Sequence, residues 1–179
     1  MNETRIYYRN AAYLKREPES RQQRRIQENA VMKQLMEYAA PEIKDFPFLS
    51  KSHSNGAALL AVSTSPVGCD LEKIQWKWSL GELSRRMSFY LSEEEKKDVL
   101  SSEQPKRNAI LAWTRKESYF KVHQERKVSD EFYIVTPTSL LQGEKMEFVT
   151  KYLAQDMIAT CYHQKGSRLE WILTDDSRI

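Results

Sequence analysis

Residues 67–73 read Val67-Gly68-Cys69-Asp70-Leu71-Glu72-Lys73, and their alternation governs how the rest of the chain is read. In a strand, residues two apart share a face. Gly68, Asp70 and Glu72 then stand on one side, while Cys69 and Leu71 point the other way into apolar surroundings. Thr64-Ser65-Pro66 just before is a turn signal, and the apolar run Ala57 to Val62 reads as a buried strand. The two runs are expected to form a hairpin. Carboxylates side by side repel each other and call for a cation. A hard divalent ion answers that need, since Mg2+ takes a few carboxylates and fills its other positions with water or phosphate. The alternative is an exposed edge strand whose acids pair with Lys73 and other bases.

The second informative stretch is Trp113-Thr114-Arg115-Lys116-Glu117-Ser118-Tyr119-Phe120-Lys121. It lies in the strongest helical pattern of the chain, Lys106 to Val122, which follows a break at Pro105. Ile110, Leu111, Trp113 and Phe120 supply its apolar surface. Trp113, Glu117 and Lys121 fall at i, i+4 and i+8 and form one stripe. As a surface ion pair, Glu117 and Lys121 would contribute only about 0.3–0.5 kcal/mol. A tryptophan on the same stripe argues for partial burial. That favours Glu117 completing a metal site and Lys121 neutralising a phosphate. Lys116, about 100° round the helix, is placed to reach a second phosphate oxygen.

Outward from these stretches the chain reads as follows. Residues 1–19 are polar with Tyr7, Tyr8 and Tyr13, and suggest an arm or a short helix. Ser20 looks like an N-cap for a helix over Arg21 to Tyr38, stopped by Pro41. Arg21, Arg24 and Arg25 oppose that helix's dipole, which hints at an anionic partner or else marks a solvated basic face. Pro47 and residues 49–56 read as a loop. A helix follows around Leu80 to Phe89, and Ser92-Glu93-Glu94-Glu95 opens another with a capping-box pattern. Strand-like runs then cover Phe132 to Val135, Glu147 to Leu153, Met157 to Tyr162 and Leu169 to Leu173, with Gly143 and Gly166 at turns. The fold class is α+β: one mostly antiparallel sheet packed against a few helices.

The loop Ser52-His53-Ser54 allows several readings: a plain surface loop, a phosphate contact, or part of a Ser-His-Asp triad. No G-x-S-x-G elbow supports the last. His123 and His163 have no partners at metal-ligand spacing and read as structural. Neither a P-loop nor a G-x-G-x-x-G fingerprint is present.

Composition narrows the field. The 179 residues are enough for one substantial core. A balance of 28 Lys+Arg against 25 Asp+Glu leaves a net charge of only +3, without the dense basic stripe of a phosphate-backbone binder. Trp76 and Trp78 alternate and could stack on bases, but such a pair more often covers a core edge. Cys69 and Cys161 read as free, buried thiols in a reducing compartment. There is no run apolar enough for a transmembrane helix and no signal-peptide core. The expectation is a cytoplasmic protein with neither nucleic acid nor membrane as partner.

Taken in order, Ser52-His53-Ser54, Gly68-x-Asp70-x-Glu72 and Trp113-x-x-Lys116-Glu117-Ser118-x-x-Lys121 resemble the 4'-phosphopantetheinyl transferases. More narrowly they resemble the surfactin-type branch, over residues 46–165. The resemblance implies a fold of two related halves. Residues 1–64 would be a shortened first half, and residues 65–179 the half with the metal and pyrophosphate motifs. It implies an enzyme that moves the 4'-phosphopantetheine arm of coenzyme A to a serine of an acyl or peptidyl carrier protein, releasing 3',5'-ADP. Such an enzyme would be Mg2+-dependent and monomeric. Asp70, Glu72 and Glu117 match the magnesium ligands. Glu117 also matches the residue that helps deprotonate the serine, and Lys121 the pyrophosphate-contacting lysine. Ser52 and His53 match contacts to the nucleotide phosphates, and Lys116 lies in the motif as a further coenzyme A contact.

The chain departs from that pattern at its front. The Gly-Lys-Pro segment before the S-H-S loop is missing, Ile43-Lys44-Asp45-Phe46-Pro47 being the nearest stretch, and Lys51 replaces an apolar residue. Arg21, Arg24 and Arg25 are candidates for the missing phosphate contacts. Arg85, Arg86, Met87 and Phe89 are candidates for a carrier-docking patch. A non-catalytic relative that binds coenzyme A or a carrier is the alternative function.

Overall fold

In the computed structural model, which describes residues 2–10, 20–123, 145–153 and 156–174, the apolar run becomes strand β3 (Ala57–Ser63), buried along its whole length. It is flanked by β1 (Glu3–Asn10) and β2 (Phe48–Ser54), both antiparallel to it. The carboxylate strand β4 (Gly68–Lys73) does not return beside β3 as a hairpin. It pairs instead with β6 (Met157–Gln164), which also pairs with β5 (Met146–Leu153). The last strand, β7 (Arg168–Thr174), runs parallel to β1. The expected single sheet is therefore two among the described residues: a mixed one, β2-β3-β1-β7, and an antiparallel one, β4-β6-β5. Because β7 lies beside β1, the segments on either side of residue 65 share a sheet.

Two further expectations are corrected. Residues 3–10 are a central strand, not an arm or helix. Ile6 and Tyr8 face one layer and Tyr7 the other, so both faces are covered and simple polar–apolar alternation is lost. Residues 48–54 are a strand, not a loop. Asn55 (φ 49°) and Gly56 (φ 79°) make the tight turn into β3, the Asn-Gly signature of a two-residue hairpin. The run at 132–135 and Gly143 lie outside the described residues.

The helices follow their caps. Helix α1 (Arg21–Ile43) starts at Ser20, whose hydroxyl accepts from the Gln23 amide, and runs past the expected stop with Pro41 inside its last turn. Ser79 and Ser92 form complete capping boxes with Glu82 and Glu95 at the starts of α2 (Leu80–Met87) and α3 (Glu93–Ser101). Pro105 opens α4 (Pro105–His123), where its missing N–H costs nothing.

The elements stack in layers. Helix α1 places Val31, Met32, Leu35 and Ala39 against Tyr7, Ala58, Leu60 and Val62 of the mixed sheet. The opposite face of that sheet, with Ile6, Leu59 and Ala61, meets Cys69, Leu71, Ala159 and Cys161 of the second sheet. Cys69 and Cys161 sit opposite each other in the ladder as free, buried thiols, as expected. Helix α4 covers the outer face of the second sheet, with Ile110 and Leu111 on Ile158 and a hydroxyl contact of 2.9 Å between Thr114 and Thr160. Each fully buried Leu or Ile contributes about 1.5–3 kcal/mol. The apolar layers therefore anchor α4 firmly behind β4. Among the described residues, no helix is long and apolar enough to cross a membrane.

Candidate active site

Gly68 sets the geometry. A Cβ built on it would lie 1.9 Å from the Ser118 carbonyl oxygen of α4. Only a residue without a side chain lets β4 approach the helix backbone so closely. Gly68, Asp70 and Glu72 share that face, as the alternation predicts. The stripe Trp113, Glu117 and Lys121 is brought to meet it.

At the centre, Lys121 Nζ donates to Asp70 Oδ1 at 2.9 Å and to the Cys69 carbonyl at 2.8 Å. Asp70 is 4% exposed. Its Oδ1 also accepts from Ser52 Oγ at 2.8 Å, whereas Oδ2 is buried and has no hydrogen-bond partner among the described residues. Glu72 Oε2 accepts from Ser54 Oγ at 2.9 Å, and the Trp113 side chain also bonds to Glu72.

The electrostatics show an excess of negative charge. Burial, then the Asp70 charge, push the Glu72 carboxyl up to about 7, against the pull of Ser54, Trp113 and Lys121. Burial and then Asp70 likewise raise Glu117. Burial alone would lower the Lys121 ammonium, but its attraction to Asp70 and the neighbouring groups reverses this and raises it. Glu72 and Glu117 thus each feel the charge of Asp70, and all three feel the Lys121 ammonium.

This has a consequence for stability. Between about pH 4.5 and 7 the folded chain keeps a proton on Glu72 that the unfolded chain has released. The unfolded state binds fewer protons there, so the stability of the metal-free protein falls as pH rises through this window and levels off above it. The loss attributable to Glu72 is about 1–3 kcal/mol. Urea melts at pH 5 and pH 7.5 are expected to show this fall in the parent chain and a smaller one in Glu72→Gln. Equal falls in the two would refute it.

The donor set and charge fit a hard divalent cation: all-oxygen ligands, surplus negative charge and the orphaned Asp70 Oδ2. Among the described residues, however, no three His, Cys, Asp or Glu side chains are gathered closely enough to enclose an ion. Lys121 instead holds one oxygen of Asp70.

The other expected site residues are distributed differently. Lys116 does not reach the site. Its side chain is 3% exposed and its Nζ bonds Glu95 Oε2 at 2.7 Å, with the Glu95 side chain 1% exposed. Expected at coenzyme A, Lys116 stands about 100° round the helix from Glu117 and turns to Glu95 of α3. Ser52 and His53 alternate along β2 and so project to opposite sides. Ser52 meets Asp70, while His53 Nδ1 lies 3.2 Å from Glu28 Oε2 of α1. Arg24 and Arg25 are exposed one turn before Glu28. Met87 is wholly buried and belongs to the core rather than to any docking patch, whereas Phe89 is 79% exposed. Trp78 lies under the Arg86 guanidinium at 4.3 Å and packs on the core edge.

Sequence reasoning missed Ser54 as a partner of Glu72. The signal available was Ser50, Ser52 and Ser54 at strand spacing. It also missed a groove of about 270 Å³ that starts at Glu72 and is walled by Trp78, Phe89, Tyr90, Ile110 and Trp113.

Residues 66–167, more than half of the chain, match the family model described as the 4'-phosphopantetheinyl transferase superfamily. The matched span contains β4, α4 and β6, the elements that frame the site. No curated protein matches the chain.

Proposed function

The chain belongs to the 4'-phosphopantetheinyl transferase superfamily, and we propose that it transfers the 4'-phosphopantetheine arm of coenzyme A to a serine of an acyl or peptidyl carrier protein, with release of 3',5'-ADP. Membership of the superfamily supports phosphopantetheine transfer in general. One observation carries it: Lys121 and Asp70 pair at 2.9 Å across the Gly68 contact, with Asp70 Oδ2 left free beside them.

The chemistry asks little covalent work of the protein. The serine oxygen bonds to the β-phosphorus as the bond from that phosphorus to the bridging oxygen breaks. The serine proton passes to Glu117, directly or through water. Burial and the Asp70 charge raise the Glu117 carboxyl and so make it a better base than a solvated one. Negative charge gathers on the departing diphosphate oxygen, where Lys121 stabilises it. Asp70, Glu72 and Glu117 would hold Mg2+, which when bound supplies further positive charge to the diphosphate.

His53, together with Arg24 and Arg25 one helical turn from its partner Glu28, is the proposed contact for the nucleotide's outlying phosphate. Ser52 stands on the opposite side of β2, where its hydroxyl donates to Asp70. The apolar groove beginning at Glu72 is the proposed path of the arm, with Phe89, Arg85 and Arg86 at the carrier side. The chain is assigned to the surfactin-type branch as a cytoplasmic monomer, with residues 65–179 carrying the metal and pyrophosphate motifs.

The test is direct. The protein is incubated with coenzyme A, Mg2+ and an apo acyl or peptidyl carrier protein, and the carrier is weighed intact. Gain of one phosphopantetheine arm, abolished by chelation of divalent ions, is the expected result. Binding of coenzyme A without transfer to any carrier would instead select a non-catalytic relative.

A further inference from the structure

Among the described residues, strand β4 pairs with β6 on one edge, and its other edge is served by side chains. Ser50, Ser52 and Ser54 of β2 stand at every second position and face that edge. The Cys69 amide donates to Ser50 Oγ at 3.0 Å and the Leu71 amide to Ser52 Oγ at 3.3 Å. Serine hydroxyls thus accept where a neighbouring strand would offer carbonyl oxygens.

The direction of the remaining hydrogen bonds follows from donor arithmetic. A hydroxyl has one proton to give. Ser52 accepts from Leu71, so its proton goes to Asp70 Oδ1, 2.8 Å away. Ser54 accepts from Asn55 Nδ2 at 2.9 Å, so its proton goes to Glu72 Oε2, also at 2.9 Å. Each serine thereby ties down one oxygen of one carboxylate. For Asp70 the result is visible: Oδ1 is engaged and Oδ2 is buried without a partner. Ser50 serves Cys69 instead, accepting from its amide and hydrogen-bonding its side chain.

We propose that Ser52 and Ser54 are positioning residues for the Asp70–Glu72 pair: each hydroxyl fixes one carboxylate oxygen, Trp113 adds a second hold on Glu72, and Asp70 Oδ2 is left for a divalent cation. The inference rests on the metal reading above. It assigns Ser52 to the carboxylates rather than to a nucleotide phosphate. It also gives the spacing of Ser50, Ser52 and Ser54 a physical purpose.

The test uses Mn2+ alone, with no coenzyme A or carrier, and reads free Mn2+ by electron paramagnetic resonance during titration of the full chain. Ser52→Ala and Ser54→Ala are each expected to weaken Mn2+ binding about tenfold, in the range found for partners of metal ligands. Ser52→Thr and Ser54→Thr, which keep the hydroxyl, should restore it. Ser50→Ala should lower the melting temperature but leave Mn2+ affinity within about twofold, since it removes hydrogen bonds to Cys69 rather than to a carboxylate. Should an alanine variant not fold, the cysteine variant at the same position, similar in size with a weak donor, takes its place under the same criterion. Unchanged affinity in the Ser52 and Ser54 variants overturns the proposal, as does equal weakening by Ser50→Ala. No Mn2+ binding by the unaltered chain overturns the metal reading and the proposal together.

Discussion

Asp70→Asn is expected to lower the rate of phosphopantetheine transfer by at least ~10³ while the chain stays folded. Removing one charge contact to a transition state commonly costs ~10²–10³ in rate, and Asp70 supports more than one. Its Oδ1 is the counter-charge for Lys121 at 2.9 Å, and its unpartnered Oδ2 is the free oxygen for a cation. Asparagine keeps the carbonyl oxygen, so the bonds from Ser52 and Lys121 survive in form. It removes the negative charge, however, and puts an N–H donor where a cation would sit. The fold should tolerate this, because the charge of Asp70 helps raise both Glu72 and Glu117 and its loss relieves that repulsion. The asparagine variant should therefore melt close to the parent in the absence of metal. Initial rates from intact carrier mass, alongside thermal melts, provide the check. A variant within about tenfold of the parent rate would remove Asp70 from the centre of the site.

The same residue shows what could be read from the sequence. Alternation placed Gly68, Asp70 and Glu72 on one face, and helical spacing placed Trp113, Glu117 and Lys121 on one stripe. Both patterns are local and survive folding unchanged. That the two faces meet follows from Gly68, whose packing on Ser118 no local pattern reveals. The pairing of Lys116 is hidden for a related reason. Lys116 is adjacent to Glu117, but its burial depends on α3 supplying Glu95, a contact between residues far apart in sequence.

Two strands escaped for the opposite reason, that their local signal is atypical. In β1, Arg5 bonds Glu3 and Glu42, and Arg9 is 3% exposed, so charges occupy positions where a central strand ordinarily shows apolar residues. In β2, serines replace the apolar face because that face meets the edge of β4 and two carboxylates rather than hydrocarbon. The Asn55-Gly56 turn was the legible clue to the hairpin. The split into two sheets was not legible at all, since it depends on β4 choosing β6, far along the chain, over its neighbour β3.

Gly68→Ala, a change of one methyl group, is expected to destabilise the chain by more than about 3 kcal/mol, beyond the usual range for an added methyl. The sign is not obvious in advance. Gly68 does not need a left-handed backbone, so alanine there would ordinarily stabilise by about 0.4–1 kcal/mol through the unfolded state. Against this, the new Cβ would lie 1.9 Å from the Ser118 carbonyl oxygen and 2.9 Å from its carbon. These are backbone atoms inside α4, so no side-chain rotation can relieve the overlap, and helix and strand must separate. Separation weakens the Thr114–Thr160 contact and the packing of Ile110 and Leu111 on Ile158. It also draws Lys121 away from Asp70, so transfer should fall along with stability. A substitution at the exposed Gly81, where a Cβ meets nothing within 4 Å, is the matched control and should leave both intact. Chemical melts of the two alanine variants decide the matter: if Gly68→Ala is as stable as Gly81→Ala, the close approach of β4 to α4 is not what brings the carboxylates and Lys121 together.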